Sequence, residues 1–415
     1  MTHRTDVLVV GGGATGAGIA RDLALRGVDV TLADRGGLSS GTTGRSHGLL
    51  HSGARYAEAD EVGARECIAE NEILREVAGH CIGDTGGLFV QLEEDDPDYF
   101  DTKLAACREY GIDAEVISGD EARARVPGLA AAVERAMVVP DAVVYPSRLV
   151  AANAADVERH GGTVLRDAPL ESFALDEGRI TGARLGGEAD VDVDATYVVN
   201  ATGAWAGQVA EKAGVEVEMR PTSGVMVSVD YADLGPVLNR CRDPADGDII
   251  IPHDDQVVLG TTSNVVDDPD DYPKAQAEVD KMFEECGDML PPVRDAETIR
   301  TWWGVRPLYA PDEDARGSQS GGSGANRGIS RGFFVLDHAD EGVENFVSVV
   351  GGKLTSYRLM AEETADLVAD RLGVDEPCRT AEAVLPGASD PAELNEFVSA
   401  YDARSPTDED VVADD

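Results

Sequence analysis

The chain has 415 residues, 42% hydrophobic and 27% charged, an ordinary composition for a globular protein with a large core, divided over two lobes. Acidic residues outnumber basic ones 79 to 35, a formal charge of −44, which argues against binding nucleic acid or anionic lipid by charge. No apolar run approaches the roughly 18 residues of a membrane span, and the six cysteines include no C-x-x-C pair that would suggest a local zinc or iron–sulfur ligand set.

In chain order, the opening MTHRTD lacks a basic-then-apolar leader, so a cytoplasmic chain is expected. Residues 6–10 (DVLVV) read as a buried strand, 11–16 (GGGATG) as a glycine turn, 17–26 as a helix closed by Gly27, and 29–34 as a second strand. That βαβ unit opens a parallel sheet. Later strands at 196–200 and 346–350 also run into glycine turns, at Gly203 and at Gly351 and Gly352. Strands ending this way at distant points suggest one sheet gathered from separated segments. The expected α/β architecture assigns 1–84, 141–214 and 332–385 to a dinucleotide-binding domain, and 85–140 and 215–331 to a second, α+β lobe over the substrate. Residues 317–328 (GSQSGGSGANRG) read as a flexible loop, and 386–415 as an acidic linker or frayed tail.

Gly11, Gly13 and Gly16 stand between strand and helix, the context a G-x-G-x-x-G fingerprint requires. Gly11 permits the tight turn, Gly13 lets backbone approach a pyrophosphate, and Gly16 lets the helix pack close to the sheet. Asp34 ends the second strand, where a carboxylate accepts from a ribose hydroxyl. These residues leave NAD and FAD both open. Two further segments favour FAD: NATG at 200–203 and the turn at 351–353 resemble nucleotide- and flavin-contacting segments of the glutathione reductase and D-amino-acid oxidase relatives.

The segment GRSHGLLHSGARY at 44–56 closely resembles the signature of FAD-dependent glycerol-3-phosphate dehydrogenases, most of all the A-type chain of the anaerobic enzymes. ARECI at 64–68, WGVRPL at 303–308, Ser330 with Arg331, and GGKLTSYR at 351–358 continue the likeness in the same order. The resemblance implies a glutathione reductase/D-amino-acid oxidase-like fold and non-covalent FAD. It implies oxidation of sn-glycerol 3-phosphate to dihydroxyacetone phosphate by hydride transfer to flavin N5, with electrons passed to a quinone-linked acceptor. A second flavoprotein chain and an iron–sulfur membrane anchor are implied as partners, placing the chain at the inner face of the cell membrane. The family's usual C-terminal cysteine-rich domain is not within these 415 residues.

The same resemblance implies cofactor contacts from Gly11, Gly13, Ala14, Thr15 and Gly16, then Asp34 and Arg35. The next segment adds Thr42, Thr43, Arg45, Ser46, His47, Gly48 and Leu50. Ala168, Ala201, Thr202, Gly203 and Trp205 follow, and finally Gly352, Lys353, Leu354 and Thr355.

A phosphate dianion calls for planar, bidentate donors, so Arg55, Arg306 and Arg331 are the expected cradle, with Tyr56 beside them. Lys353, one of only five lysines, is expected to stabilise developing negative charge; the alternative is a lysine capping helix carbonyls. Arg306 and Lys353 are therefore candidate catalytic residues as well as substrate ligands. His51 is the favoured general base over His47, although either reads equally as a buried histidine packing the flavin. No metal site is expected, because the Asp-rich runs near 267–271 lack calcium-loop spacing. Two other functions remain open from sequence: a related 2-hydroxy-acid or amino-acid dehydrogenase or oxidase, and a flavoprotein that only relays electrons. The acidic excess also predicts a halophilic host, since molar salt screens self-repulsion.

Overall fold

The computed structural model describes residues 2–309 and 332–413. The stretch 317–328, expected as a loop, and the candidate Arg331 lie outside the described residues.

Two sheets organise the chain. The first is built around parallel strands in the order Phe346–Gly351, Val191–Asn200, Thr2–Val10, Val30–Ala33 and Thr163–Leu165. Antiparallel strands Leu170–Asp176, Arg179–Leu185 and Phe333–Asp337 extend it. Helices Ala14–Leu25, Pro146–Arg159 and Tyr357–Leu372 cover one face, and their buried alanines permit close helix packing. The short strand Val30–Ala33 and the strand Phe346–Gly351 are buried along nearly their whole length, as a sheet covered on both sides demands. The strand at 346–351 pairs with 191–200, so three glycine turns from distant parts of the chain meet at the carboxyl end of one sheet. Ligands of open α/β sheets bind at that edge.

The second sheet is mostly antiparallel and has nine strands among the described residues, taken from 87–139 and 222–306. Its side chains alternate by face. Val225, Val227 and Val229 pack toward helix Gln276–Met289, while Met226, Ile249, Ile251, Val258 and Trp302 pack with Leu49 and Val143 of the first lobe. This second apolar face seals the lobes together, and Arg306, Pro307 and Leu308 at the end of the sheet border the crevice between them.

The expected linker after 386 is instead a packed element. Helix Pro391–Ala400 lies against Pro146–Arg159, burying Leu394 and Val398, followed by Tyr401, Ala403 and Val412. Leu394, Val398 and Tyr401 recur at helical spacing, and Asp390 caps the helix with Pro391 at its first position. The abundance of acidic residues around them hid an ordinary start signal. The tail also serves the crevice: Thr407 donates its hydroxyl to the carbonyls of Gly44 and Ser46. Asp408, its pKa raised by burial, accepts from Ser147 and Ser405.

Candidate active site

The first glycine turn follows from steric necessity. Gly11 has φ of +111°, and a Cβ there would sit 2.5 Å from the Ala201 carbonyl oxygen. A Cβ on Gly16 would overlap the Gly11 carbonyl, so helix and strand approach as closely as they do only with glycine. Helix Ala14–Leu25 starts with no acidic residue in its first turn and no capping side chain on Gly13. Thr43 Oγ1 accepts the Ala14 N–H at 3.1 Å, and with no carboxylate in the first turn the positive end of the dipole still favours an anion. Asp34 accepts from Gly12 N–H at 2.6 Å and Gly36 N–H at 2.9 Å. Burial raises its pKa against those two hydrogen bonds.

A cavity of about 450 Å³ runs from this turn along the crevice. Of the expected cofactor residues, Gly11, Gly13, Ala14, Thr15, Asp34, Arg35, Thr42, Thr43, Ser46 and His47 line it. So do Ala168, Ala201, Thr202, Gly203, Trp205, Gly352, Lys353 and Leu354. Five do not. Gly16 and Leu50 sit behind the wall, where Leu49 lines it instead. Arg45 turns to the carbonyls of Ser40 and Trp303, and Gly48 lies against Val144 and His253. Thr355 accepts the backbone N–H of His51 at 2.9 Å, so it supports the site from behind.

The same cavity receives His51, Tyr56 and Arg306. A smaller one of about 30 Å³ adjoins it, sharing His47, His51 and Arg306 and adding Arg55 and Thr261. Arg306, from strand Thr298–Arg306, donates to Thr261 Oγ1 at 3.3 Å and the Thr262 carbonyl at 3.0 Å. Arg55 reaches Asp248, a buried carboxylate of the second lobe, at 3.4 Å. His51 Nε2 and the Tyr56 hydroxyl are 3.2 Å apart, and Lys353 Nζ lies 4.6 Å from the centre of the Tyr56 ring. Lys353 is 9% exposed, and its ammonium has no hydrogen-bond partner among the described residues. The helix-capping alternative for this lysine is not what the structure has. Its charge is met by the Tyr56 ring and, through space, by the Glu66 carboxylate, which leaves its donors available to an anionic ligand.

Sequence reasoning missed the residues that hold these groups in place. Lys103, on helix Pro97–Glu109, donates to the carbonyls of Ala54 and Arg55 and pairs with Glu58, fixing the turn that carries Arg55 and Tyr56. Asp141, whose burial raises its pKa, accepts from Ser52 N–H at 2.7 Å and from Asn239 across the lobes. Asn71 binds the His51 carbonyl. The rarity of lysine was the one signal available for Lys103.

Fold and site together define a two-lobed dinucleotide-binding protein whose second lobe closes a cationic end of the cofactor crevice. The model of a family described as FAD dependent oxidoreductase matches residues 6–367. The A1 chain of the anaerobic glycerol-3-phosphate dehydrogenase of Haloferax volcanii is 48% identical over 98% of this chain and 70% of its own length. The A chain of the corresponding Escherichia coli enzyme is 43% identical over 95% of this chain and 72% of its own. The crystal structure of the Bacillus halodurans glycerol-3-phosphate dehydrogenase complexed with FAD superposes with a TM-score of 0.72 at 25% identity, covering 98% of this chain and 74% of that one. The chain belongs to the FAD-dependent oxidoreductases and, within them, to the A-type chains of the anaerobic glycerol-3-phosphate dehydrogenases. FAD is the family's cofactor, and the helix amino end without an acidic first turn, the glycine turn and Asp34 fit its pyrophosphate and ribose.

Proposed function

We propose that the chain oxidises sn-glycerol 3-phosphate to dihydroxyacetone phosphate. The observation that carries this reading is Lys353: a buried ammonium without a hydrogen-bonding partner among the described residues, on the same cavity as Arg306, in a chain of net charge −44. Arg306 and Arg55, flanking the small adjoining cavity, supply planar donors for the phosphate dianion. Arg331 is proposed as a third donor by likeness to the family. Bound FAD supplies the hydride acceptor. His51 takes the hydroxyl proton, with Tyr56 at 3.2 Å relaying or sharing it. Lys353 offsets the negative charge that gathers on the substrate oxygen as the proton leaves. The second lobe, packed through Trp302 and Met226, keeps water from the reacting carbon.

The A-type relatives are parts of multi-chain enzymes, which implies partner chains here. We infer a second flavoprotein and an iron–sulfur membrane anchor that carry electrons to a quinone-linked acceptor and hold this chain at the inner face of the membrane. Among the described residues no helix is long and apolar enough to cross a membrane.

The test is anaerobic. The oxidised, yellow protein is mixed separately with glycerol 3-phosphate, glycerol, a 2-hydroxy acid and an amino acid. Loss of flavin colour with glycerol 3-phosphate alone supports the reading. Bleaching by a carboxylate compound would move the chain among the amino-acid or hydroxy-acid enzymes, and no bleaching would make it an electron relay.

A further inference from the structure

Arg35 and Trp205 line the cofactor cavity at the end marked by Asp34 and Ala168. The Arg35 guanidinium lies 4.2 Å from the Trp205 ring centre, stacked on its face. Both residues belong to the first lobe. What braces them comes from the second: Asp270, in the loop between strand Asn264–Val265 and helix Gln276–Met289. Its two carboxylate oxygens accept from the two Arg35 Nη atoms at 2.8 and 3.1 Å, and one also accepts from Trp205 Nε1 at 2.8 Å. A bidentate pair of this kind fixes orientation as well as distance.

The loop is shaped for this contact. Asp268 accepts the Asp270 backbone N–H, and Val266 and Tyr272 on either side pack with Trp205, Ala204 and Val305. The polar contact and the apolar cluster are separate observations that tie the same loop to the same tryptophan. Placing a carboxylate beside a cavity for an anionic cofactor is unfavourable by charge alone. Arg35 neutralises it and, as the largest influence, holds the Asp270 carboxyl below its usual range.

We propose that residues 266–272 form a strap from the second lobe that retains the cofactor in the crevice, with Asp270 as its positioning residue acting through Arg35 and Trp205. The strap rests on the reading of this cavity as the FAD site. It makes cofactor release depend on separating the two lobes at this point, although Asp270 itself is not a wall of the cavity.

The experiment follows FAD leaving the intact flavoprotein after a large dilution into flavin-free molar KCl, by recovery of free-flavin fluorescence. Asp270→Asn is expected to speed release about two- to fivefold, the effect of losing a half-exposed ion pair partly screened by salt. Asp270→Glu is expected to restore much of the slow rate, and Asp271→Asn, an equal loss of charge at the exposed neighbour, to leave it unchanged. Should Asp270→Asn fail to fold, Trp205→Phe, which keeps an aromatic ring and loses the N–H, is expected to release FAD faster than wild type. Wild-type release rates in both Asp270→Asn and Trp205→Phe would overturn the strap while leaving the FAD site intact, as would equal acceleration by Asp271→Asn. Wild-type protein that neither carries nor takes up flavin would overturn the cofactor reading itself.

Discussion

Lys353 brings a positive charge to a cavity wall where no described residue meets it with a hydrogen bond; the Tyr56 ring lies 4.6 Å away, and the Glu66 carboxylate is near enough for the two charges to interact. Such a residue serves binding at the expense of stability. Lys353→Met is therefore expected to lower kcat/KM by about 30-fold or more, equivalent to ~2 kcal/mol of transition-state stabilisation, while thermal stability stays equal or rises. Steady-state kinetics beside a thermal melt decide it; normal turnover removes Lys353 from the site. His253 illustrates the opposite case. It is fully buried, its Nε2 lies 3.3 Å from the His47 carbonyl, and its Nδ1 has no partner among the described residues. Burial pushes its pKa down to about 4. As pH falls from ~6.5 to ~4 the unfolded chain binds a proton that the folded chain refuses, so stability should drop by about 3 kcal/mol across that window. Chemical denaturation at several pH values should show this slope in the wild type and a shallower one in His253→Gln. Eighteen of the expected cofactor residues line the cavity, and most lie in short, distinctive motifs; Leu170, Gln208, Val209, Lys212 and Met360 line it too and went unnoticed because they lie in none. Lys103, Asp141 and Asp248 were not legible either, because they act by holding other residues from distant parts of the chain.

At the scale of elements, the strand-turn-helix unit at the amino end was legible because period, glycine turn and terminal acid agree over about 30 residues. The helix expected from residue 17 begins at Ala14, inside the fingerprint, which is what lets its amino end face the cofactor crevice. The carboxyl-terminal helix Pro391–Ala400 was misread because net charge was weighed above the spacing of Leu394, Val398 and Tyr401. Its packing makes a clear prediction. Leu394 is wholly buried against the first core, so Leu394→Ala should cost about 2–5 kcal/mol in unfolding free energy. A change far below that range, within the scatter of ordinary surface substitutions, would return this segment to the status of a loose tail. Because Thr407 binds the carbonyls of Gly44 and Ser46, the same variant should also weaken FAD retention.

Across the whole molecule, charge sets the conditions under which the fold holds. With 79 acidic and 35 basic residues, many of the arginines are already committed to ion pairs, such as Arg240 with Glu94, Asp95 and Asp288. The remaining carboxylates repel one another over a distance that shrinks to about 3 Å in molar salt. Unfolding midpoints are expected to climb steeply with KCl; a midpoint independent of salt would contradict the halophilic reading. The same field would keep a phosphorylated substrate away at low salt, so its capture needs a concentrated cationic pocket. That pocket is the account's central claim. A crystal structure of the protein with FAD and glycerol 3-phosphate tests it directly. The phosphate is predicted between the guanidinium groups of Arg55 and Arg306, with the substrate's secondary hydroxyl within hydrogen-bond reach of His51 or Lys353. A phosphate bound elsewhere, with those two arginines turned from the ligand, would contradict it.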